Sequence, residues 1–268
     1  MSDIADLEST GLEVVELRSH EAFKARRLPG RDTIAQMERV CHLAQAFVER
    51  PETILQEFAN AAVELCGADS AGISIQEADD HGNLAFRWVA TAGEFASFRN
   101  AVVPNFPSVS GICLQRGHAQ VFRISQRFLD LVGIPAKPVT DGLVFPWKED
   151  QTRGTLWVMA HARSEAFDAD DARLVAMLAN FAAVAVREER QRKLLLKQAK
   201  AAAAAAMAND LAHRINNPLQ SLTNLVYIAG QDCDGARGKE LAHEMKEHVG
   251  RLSDLVRRLL ALPVDGQS

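Results

Sequence analysis

Ala71-Gly72-Ile73-Ser74-Ile75-Gln76, the polar segment Asp79 to Asn83, and Leu84-Ala85-Phe86-Arg87-Trp88-Val89-Ala90-Thr91-Ala92 decide the fold of this chain. The first run alternates residue by residue, and the second alternates around Phe86, Trp88 and Val89. A period of two belongs to a strand with one buried face, and turn-forming residues between two such runs predict a β-hairpin.

On the N-terminal side of the hairpin the period becomes helical. Ile34, Met37, Val40, Cys41, Ala44 and Phe47 fall on one face of a helix over Thr33 to Glu49. Pro51 suits the first turn of a second helix, in which Ile54, Leu55, Phe58, Ala62 and Leu65 recur at helical steps until Gly67 stops it. Residues 1–32 carry charges throughout, with a Pro29-Gly30 turn signal, and read as an arm or a short helix. On the C-terminal side, an irregular stretch punctuated by Pro104, Pro107 and Gly111 leads to three more strand candidates. These are Ala119 to Ile124, Gly142 to Trp147 and Thr155 to His161, the first two separated by a short amphipathic piece, Arg127 to Val132. Asp168-Ala169-Asp170-Asp171 then opens a helix with acids at its positive end, and Leu174, Met177, Leu178, Phe181, Val184 and Ala185 supply its buried face. The expected class over residues 33–188 is α+β, an antiparallel sheet with flanking helices.

Nothing breaks the helix after residue 188. Arg187 to Lys193, Leu194 to Leu196 and the alanine run Ala201 to Ala206 predict a continuous helical linker over 189–206, alanine being the strongest helix former. Met207, Leu211, Ile215, Pro218, Leu222, Leu225 and Val226 then form an apolar stripe, and Gly230 to Gly235 a turn. A second helix, Lys239 to Leu262, carries Leu241, Met245, Val249, Leu252, Val256 and Leu259 close to a heptad seam. Two such helices cannot complete a core. Two copies of the hairpin 207–262 would make a four-helix bundle, so the expected state is a homodimer, with 263–268 as a tail.

Composition narrows the class. A hydrophobic share of 47% and a charged share of 24% describe an ordinary soluble chain, and 268 residues suffice for one or two cores. The net charge of −5 gives no electrostatic reason to expect nucleic acid. Cys41, Cys66, Cys113 and Cys233 form no C-x-x-C pair, which argues against a zinc knuckle or a disulfide framework and suits a reducing cytoplasm. Met1-Ser2-Asp3-Ile4-Ala5-Asp6 is acidic where a signal peptide is basic, and no apolar run reaches the length of about 18 residues that a membrane span needs.

Ser110-Gly111-Ile112-Cys113-Leu114-Gln115-Arg116-Gly117, Gly142-Leu143-Val144-Phe145-Pro146, Gly154-Thr155-Leu156-Trp157-Val158 and the exit Phe167-Asp168-Ala169-Asp170-Asp171-Ala172-Arg173-Leu174 resemble bacterial GAF domains. The resemblance covers about residues 36–188 and implies a six-stranded antiparallel sheet with helices packed on it, often around a small-molecule pocket whose ligand these residues do not name. Cys113 invites comparison with the attachment site of a linear tetrapyrrole, but Leu114 follows it where many such sites carry histidine. A structural, buried cysteine is the expected reading. His118, beside Gly117, reads as a turn residue rather than a haem ligand, and Trp88, Trp147 and Trp157 read as sheet core.

Leu211-Ala212-His213-Arg214-Ile215-Asn216-Asn217-Pro218-Leu219-Gln220 resembles the phosphoacceptor box of histidine kinases, in which a histidine and an acid are followed by Asn or Thr, Pro and Leu. The resemblance implies that His213 carries a phosphoryl group and that Asn217 orients water during dephosphorylation of a response regulator. Helical geometry agrees: His213 lies about 200° around the helix from Leu211 and Ile215, away from the apolar stripe and open to in-line attack. Asn217, four residues on, shares its face. A neutral imidazole is a competent nucleophile near neutral pH, whereas His243 and His248 read as ordinary surface residues. Two features depart from the family. Arg214 stands where an acid is usual and cannot accept a proton, a His-Arg pairing similar to that of related kinase families with Asn-Asn and Leu-Gln. The chain also carries no ATP-binding domain and no phosphate-binding glycine loop.

The expectation is therefore a cytoplasmic, homodimeric two-component signalling protein. Its GAF-like domain senses a ligand or partner, and its phosphoacceptor depends on a response regulator or a separate kinase, the only route by which ATP enters. No cofactor or metal is expected in this chain. A non-catalytic dimeric regulator or scaffold and a truncated sensor kinase are the alternatives.

Overall fold

The computed structural model of the chain describes residues 10–30, 33–78, 82–229 and 235–260. They divide into two compact units, Met1–Gln191 and Arg192–Ser268.

The first unit is built on one sheet. Its strands are β1 (Leu12–Glu16), β2 (Ser70–Ala78), β3 (Leu84–Gly93), β4 (Val102–Pro104), β5 (Gln120–Ile124), β6 (Val139–Glu149) and β7 (Thr152–Ala160). They lie in the order β1-β5-β6-β7-β2-β3-β4, and every neighbouring pair is antiparallel. The hairpin that opened the sequence reading is β2–β3, with a register shift at Ile73/Ser74. The helices are α1 (Glu21–Ala25), α2 (Thr33–Glu49), α3 (Ile54–Cys66), α4 (Val109–Arg116), α5 (Gln126–Val132), α6 (Ala169–Ala229) and α7 (Gly235–Leu260).

Both faces of the sheet are covered, and alternation along each strand sorts residues between two cores. On one face Ile73, Val121, Leu143, Leu156 and Val158 pack with Phe58 of α3 and with Val175 and Leu178 of α6. On the other, Trp88, Phe122, Val144, Trp157 and Met159 pack with Ile112 of α4 and Phe128 of α5. Burial on two sides makes β7 continuously buried from Gly154 to Ala160, where a one-sided sheet would leave alternate residues wet.

Four sequence expectations are corrected here. The N-terminal arm is part of the domain from Leu12 onward: β1 adds a seventh strand beside β5, and Leu12 is buried. Arg26 follows it into the core, donating to Asp141 Oδ2 at 2.8 Å and to the carbonyl of Phe167 at 3.0 Å. Five residues with two glutamates were too short to register as an alternating strand. The stretch read as irregular contains β4 and α4, the latter capped by Ser108, whose Oγ accepts from the Gly111 amide at 3.0 Å. Gly117, at φ 72°, closes that helix in the left-handed region.

The other two corrections concern helix faces. On α2 the buried residues are Leu43 and Ala46, while Ile34 (72%), Met37 (69%) and Val48 (79%) are exposed. On α6 Leu178 and Ala185 are buried as the period predicts, joined by Ala172, Val175, Ala179 and Ala182, while Phe181 is 44% exposed and stacks on Phe58 at 6.2 Å. Alanines let the helix approach the sheet closely, so small residues that the period had not singled out share the buried face with Leu178.

In the second unit α6 runs to Ala229 without interruption at Pro218, and α7 follows. Residues 192–210 are exposed throughout. Farther on, Pro218 and Leu225 are buried while Leu211, Ile215 and Leu222 are half-buried, so the inner part of the expected stripe forms and its ends, Met207 and Val226, stay exposed. The expected turn 230–234, the side chains of Leu241, Val256 and Leu259, and the tail 263–268 lie outside the described residues.

Candidate functional site

A cavity of about 280 Å³ lies on the sheet face opposite α3. Trp88 of β3, Phe122 of β5, and Trp157 and Met159 of β7 form its floor, while Phe95, Phe98, Phe128 and the start of α4 wall it. Two glycines let the floor lie flat. Gly72 sits beneath the Trp157 ring and Gly142 beneath the Phe122 ring, where any Cβ would collide with the indole or phenyl carbons. Trp88 and Trp157 have centroids 5.3 Å apart, and Phe95 meets Trp157 edge-on at 5.9 Å.

The hydroxyl groups near the cavity are already engaged. Thr155 Oγ1 bonds Ser74 Oγ at 2.6 Å and Ser110 Oγ at 2.8 Å, which ties α4 to the sheet. Behind Phe95 the His161 ring stacks in parallel, at 5.4 Å and 3°. The carbonyl of Pro138, 3.0 Å from Nδ1, can only accept, so Nδ1 donates to it, and Nε2 shares a hydrogen bond with the Ser70 hydroxyl at 2.9 Å. Among the described residues no Asp, Glu, Lys, Arg or His side chain lines the cavity. A charged ligand would enter it without a partner, at a large desolvation cost, whereas an uncharged apolar one would not.

Cys113 is buried and does not line the cavity. Its Sγ donates to the carbonyls of His118 and Val144, and burial pushes the thiol far above its ordinary range, a rise that nearby Arg116 only partly opposes. It remains a thiol and a poor nucleophile. His118 is exposed in a turn. Trp88 and Trp157 are sheet core, as their spacing suggested, but they are also cavity floor, a role that no sequence signal carried. Among the described residues no cluster of His, Cys, Asp and Glu is suited to a metal, and no helix is long and apolar enough to cross a membrane.

In the second unit His213 and Asn217 are both exposed, one turn apart, with Leu211 and Ile215 half-buried on either side of His213. Arg214 reaches back to Asp210, Nε to Oδ2 at 2.9 Å. Arg214, Asn217, Pro218 and Ser221 of α6 share an open pocket with His248 and Arg251 of α7. His248, read from the sequence as an ordinary surface residue, is thus a half-buried wall of that pocket.

The family model of the GAF domain matches residues 48–187, which includes the cavity and excludes β1 and the segment around His213. Among solved structures, the GAF domain of a phosphoenolpyruvate-protein phosphotransferase (ptsP) from Coxiella burnetii is 16% identical, with a TM-score of 0.48 over 61% of this chain and 99% of that one. Free methionine-R-sulfoxide reductase from Neisseria meningitidis, solved with its substrate, is 18% identical, with a TM-score of 0.47 over 63% and 99% of the two chains. The phycoerythrobilin-bound GAF domain from a cyanobacterial phytochrome is 13% identical, with a TM-score of 0.45 over 60% and 100%. No curated protein matches the chain.

Proposed function

The chain belongs to the GAF domain family, matched over residues 48–187, and on that premise we propose that it is a cytoplasmic, homodimeric sensor of two-component signalling. The cavity takes an uncharged, largely apolar small molecule, because its wall is aromatic and no ionisable side chain faces it. His213 accepts a phosphoryl group and Asn217 orients water for its removal. Arg214 cannot serve as the base, so the donor is a response regulator or a separate kinase, and ATP acts only through that partner.

One observation carries this reading. The helix that buries Val175 and Leu178 under the sheet is the same helix that bears the exposed pair His213 and Asn217. A change at the sheet therefore has a covalent, helical route to the histidine. Support for the homodimer comes from uncovered apolar residues. Ile34, Met37, Cys41, Ala44 and Val48 are exposed on α2 at the three-and-four steps of a coiled-coil seam, and Met207, Val226 and Val249 are exposed in the second unit.

The test is phosphotransfer. Radiolabelled ATP alone is expected to leave the protein unlabelled, whereas a cognate kinase or phosphorylated regulator labels it and His213→Gln abolishes the label. Absence of label under every pairing removes the relay. Native mass spectrometry of freshly purified protein checks the dimer and any retained apolar ligand together. The Arg214–Asp210 pair at 2.9 Å favours one second reading, a non-catalytic dimeric regulator in which Arg214 is structural. That reading prevails if His213→Ala keeps the cellular phenotype while Val249→Glu with Leu252→Glu abolishes it.

A further inference from the structure

The pocket between α6 and α7 explains what an arginine does beside His213. We propose that Arg214, His248 and Arg251, with the Asn217 amide and the Ser221 hydroxyl, form an oxyanion site that holds the oxygens of a phosphate or phosphoryl group one helical turn from His213. Three side chains able to carry positive charge converge on one concave surface, and among the described residues no carboxylate lines it. Each guanidinium has its carboxylate neighbour outside the pocket, and an entering dianion competes for both. The two guanidinium groups are not locked away from it. Arg214 pairs with Asp210 and Arg251 with Glu247, each four residues back on its own helix, and all four side chains are more than half exposed. Exposed pairs of this kind hold their partners weakly, so either fork can turn toward an anion at little cost.

His248 supplies an independent sign. Its Nδ1 is enclosed by protein yet has no hydrogen-bond partner, a condition that native structures resolve with water or a ligand. The Asn217 amide and Ser221 hydroxyl are neutral donors on the same wall. Together these groups match the tetrahedral oxygens of phosphate: planar forks for paired contacts, and single donors for the remaining oxygen atoms. Pro218, which cannot donate a backbone hydrogen bond, also lines the pocket. The site deepens the relay reading, on which only the identity of the donor rests; anion binding stands or falls by itself.

The experiment uses the full chain at low ionic strength, where exposed charges are least screened. Inorganic phosphate is titrated by calorimetry, with Lys200→Ala as a control outside the pocket. Saturable binding of one phosphate per chain is expected, weakened about tenfold or more by Arg251→Ala and by Arg214→Ala, since each removes a charge-assisted contact. Arg251→Lys keeps the charge and the helix but not the fork, so it should fall between Arg251→Ala and wild type. In a parallel arm acetyl phosphate, a small acyl phosphate, is offered and His213 is examined by mass spectrometry. Phosphate binding with the stated arginine dependence, but no label on His213 from acetyl phosphate or any regulator, keeps the oxyanion site and removes the relay. Non-saturable uptake, or wild-type affinity in both Arg251→Ala and Arg251→Lys, overturns the proposal.

Discussion

In the unit that ends at Gln191, β7 is buried from Gly154 to Ala160 and the sheet has a core on each face. In the unit that begins at Arg192, no residue from 192 to 210 is buried, and Met207 (60%), Val226 (56%) and Val249 (55%) stand in the open. The first unit encloses two hydrophobic cores within one chain, with Ile34, Met37 and Val48 of α2 left exposed. The second leaves apolar surface at helical spacing, which in water is a surface waiting for another helix. One chain thus joins a domain with two enclosed cores to helices that leave several apolar residues uncovered. The largest tests of this contrast lie in the first unit.

Asp141 is fully buried, and its partner Arg26 reaches it from the segment after β1. Asp141→Ala leaves the guanidinium buried without its counter-charge, and breaking a buried pair in this way costs about 3–5 kcal/mol. The expected result is a large fall in the urea midpoint of the first unit that is independent of protein concentration. A loss of under about 1 kcal/mol would mean that the N-terminal segment is not integral to this domain.

The next effect belongs to the second unit. Val249→Glu places a charge on the exposed apolar side of α7. If a second copy covers that side, sedimentation should show dimer affinity falling at least about tenfold, equivalent to about 1.4 kcal/mol. Far-ultraviolet dichroism should lose helix on dilution while the sheet signal stays. Unchanged mass and helicity at every concentration would show that the hairpin is complete in one chain.

How far the sequence carried these conclusions depended on which physical signal each element emits. The β2–β3 hairpin and the span Thr33–Glu49 were legible because period alone identifies them. Helix faces were not. On α2 the apolar residues serve two surfaces, and hydrophobicity cannot tell a core from an unpartnered seam. α4 was lost because Ser110 and Gly111 are buried there through hydrogen bonding and close approach rather than through apolar character. For the cavity, the sequence marked Trp88 and Trp157 as sheet core, yet nothing in a period says that a face encloses space. His213 was picked out by its neighbours in the chain. The basic pocket beside Arg214 was not, because His248 and Arg251 meet it only through the pairing of two helices.

The smallest expected effect tests the join itself. Ala201 to Ala206 are all exposed, so within the described structure nothing packs on this turn and a half of α6. Its helicity there rests on backbone propensity, in which alanine exceeds glycine by about 1 kcal/mol per residue. Ala203→Gly with Ala205→Gly should therefore lower the local helix stability by about 2 kcal/mol, visible as faster amide exchange between Lys200 and Met207. The urea midpoint of the first unit should not move, because no residue of its cores is touched. If the relay operates through a continuous helix, labelling of His213 should also lose its dependence on the state of the cavity while the site itself stays competent. A fall in the midpoint of the first unit would place the alanine segment inside that domain's cooperative structure and erase the contrast between the two regions. Unchanged amide exchange would instead mean that a partner surface covers the alanines, extending the associating part of the chain N-terminally from Met207 to Ala201.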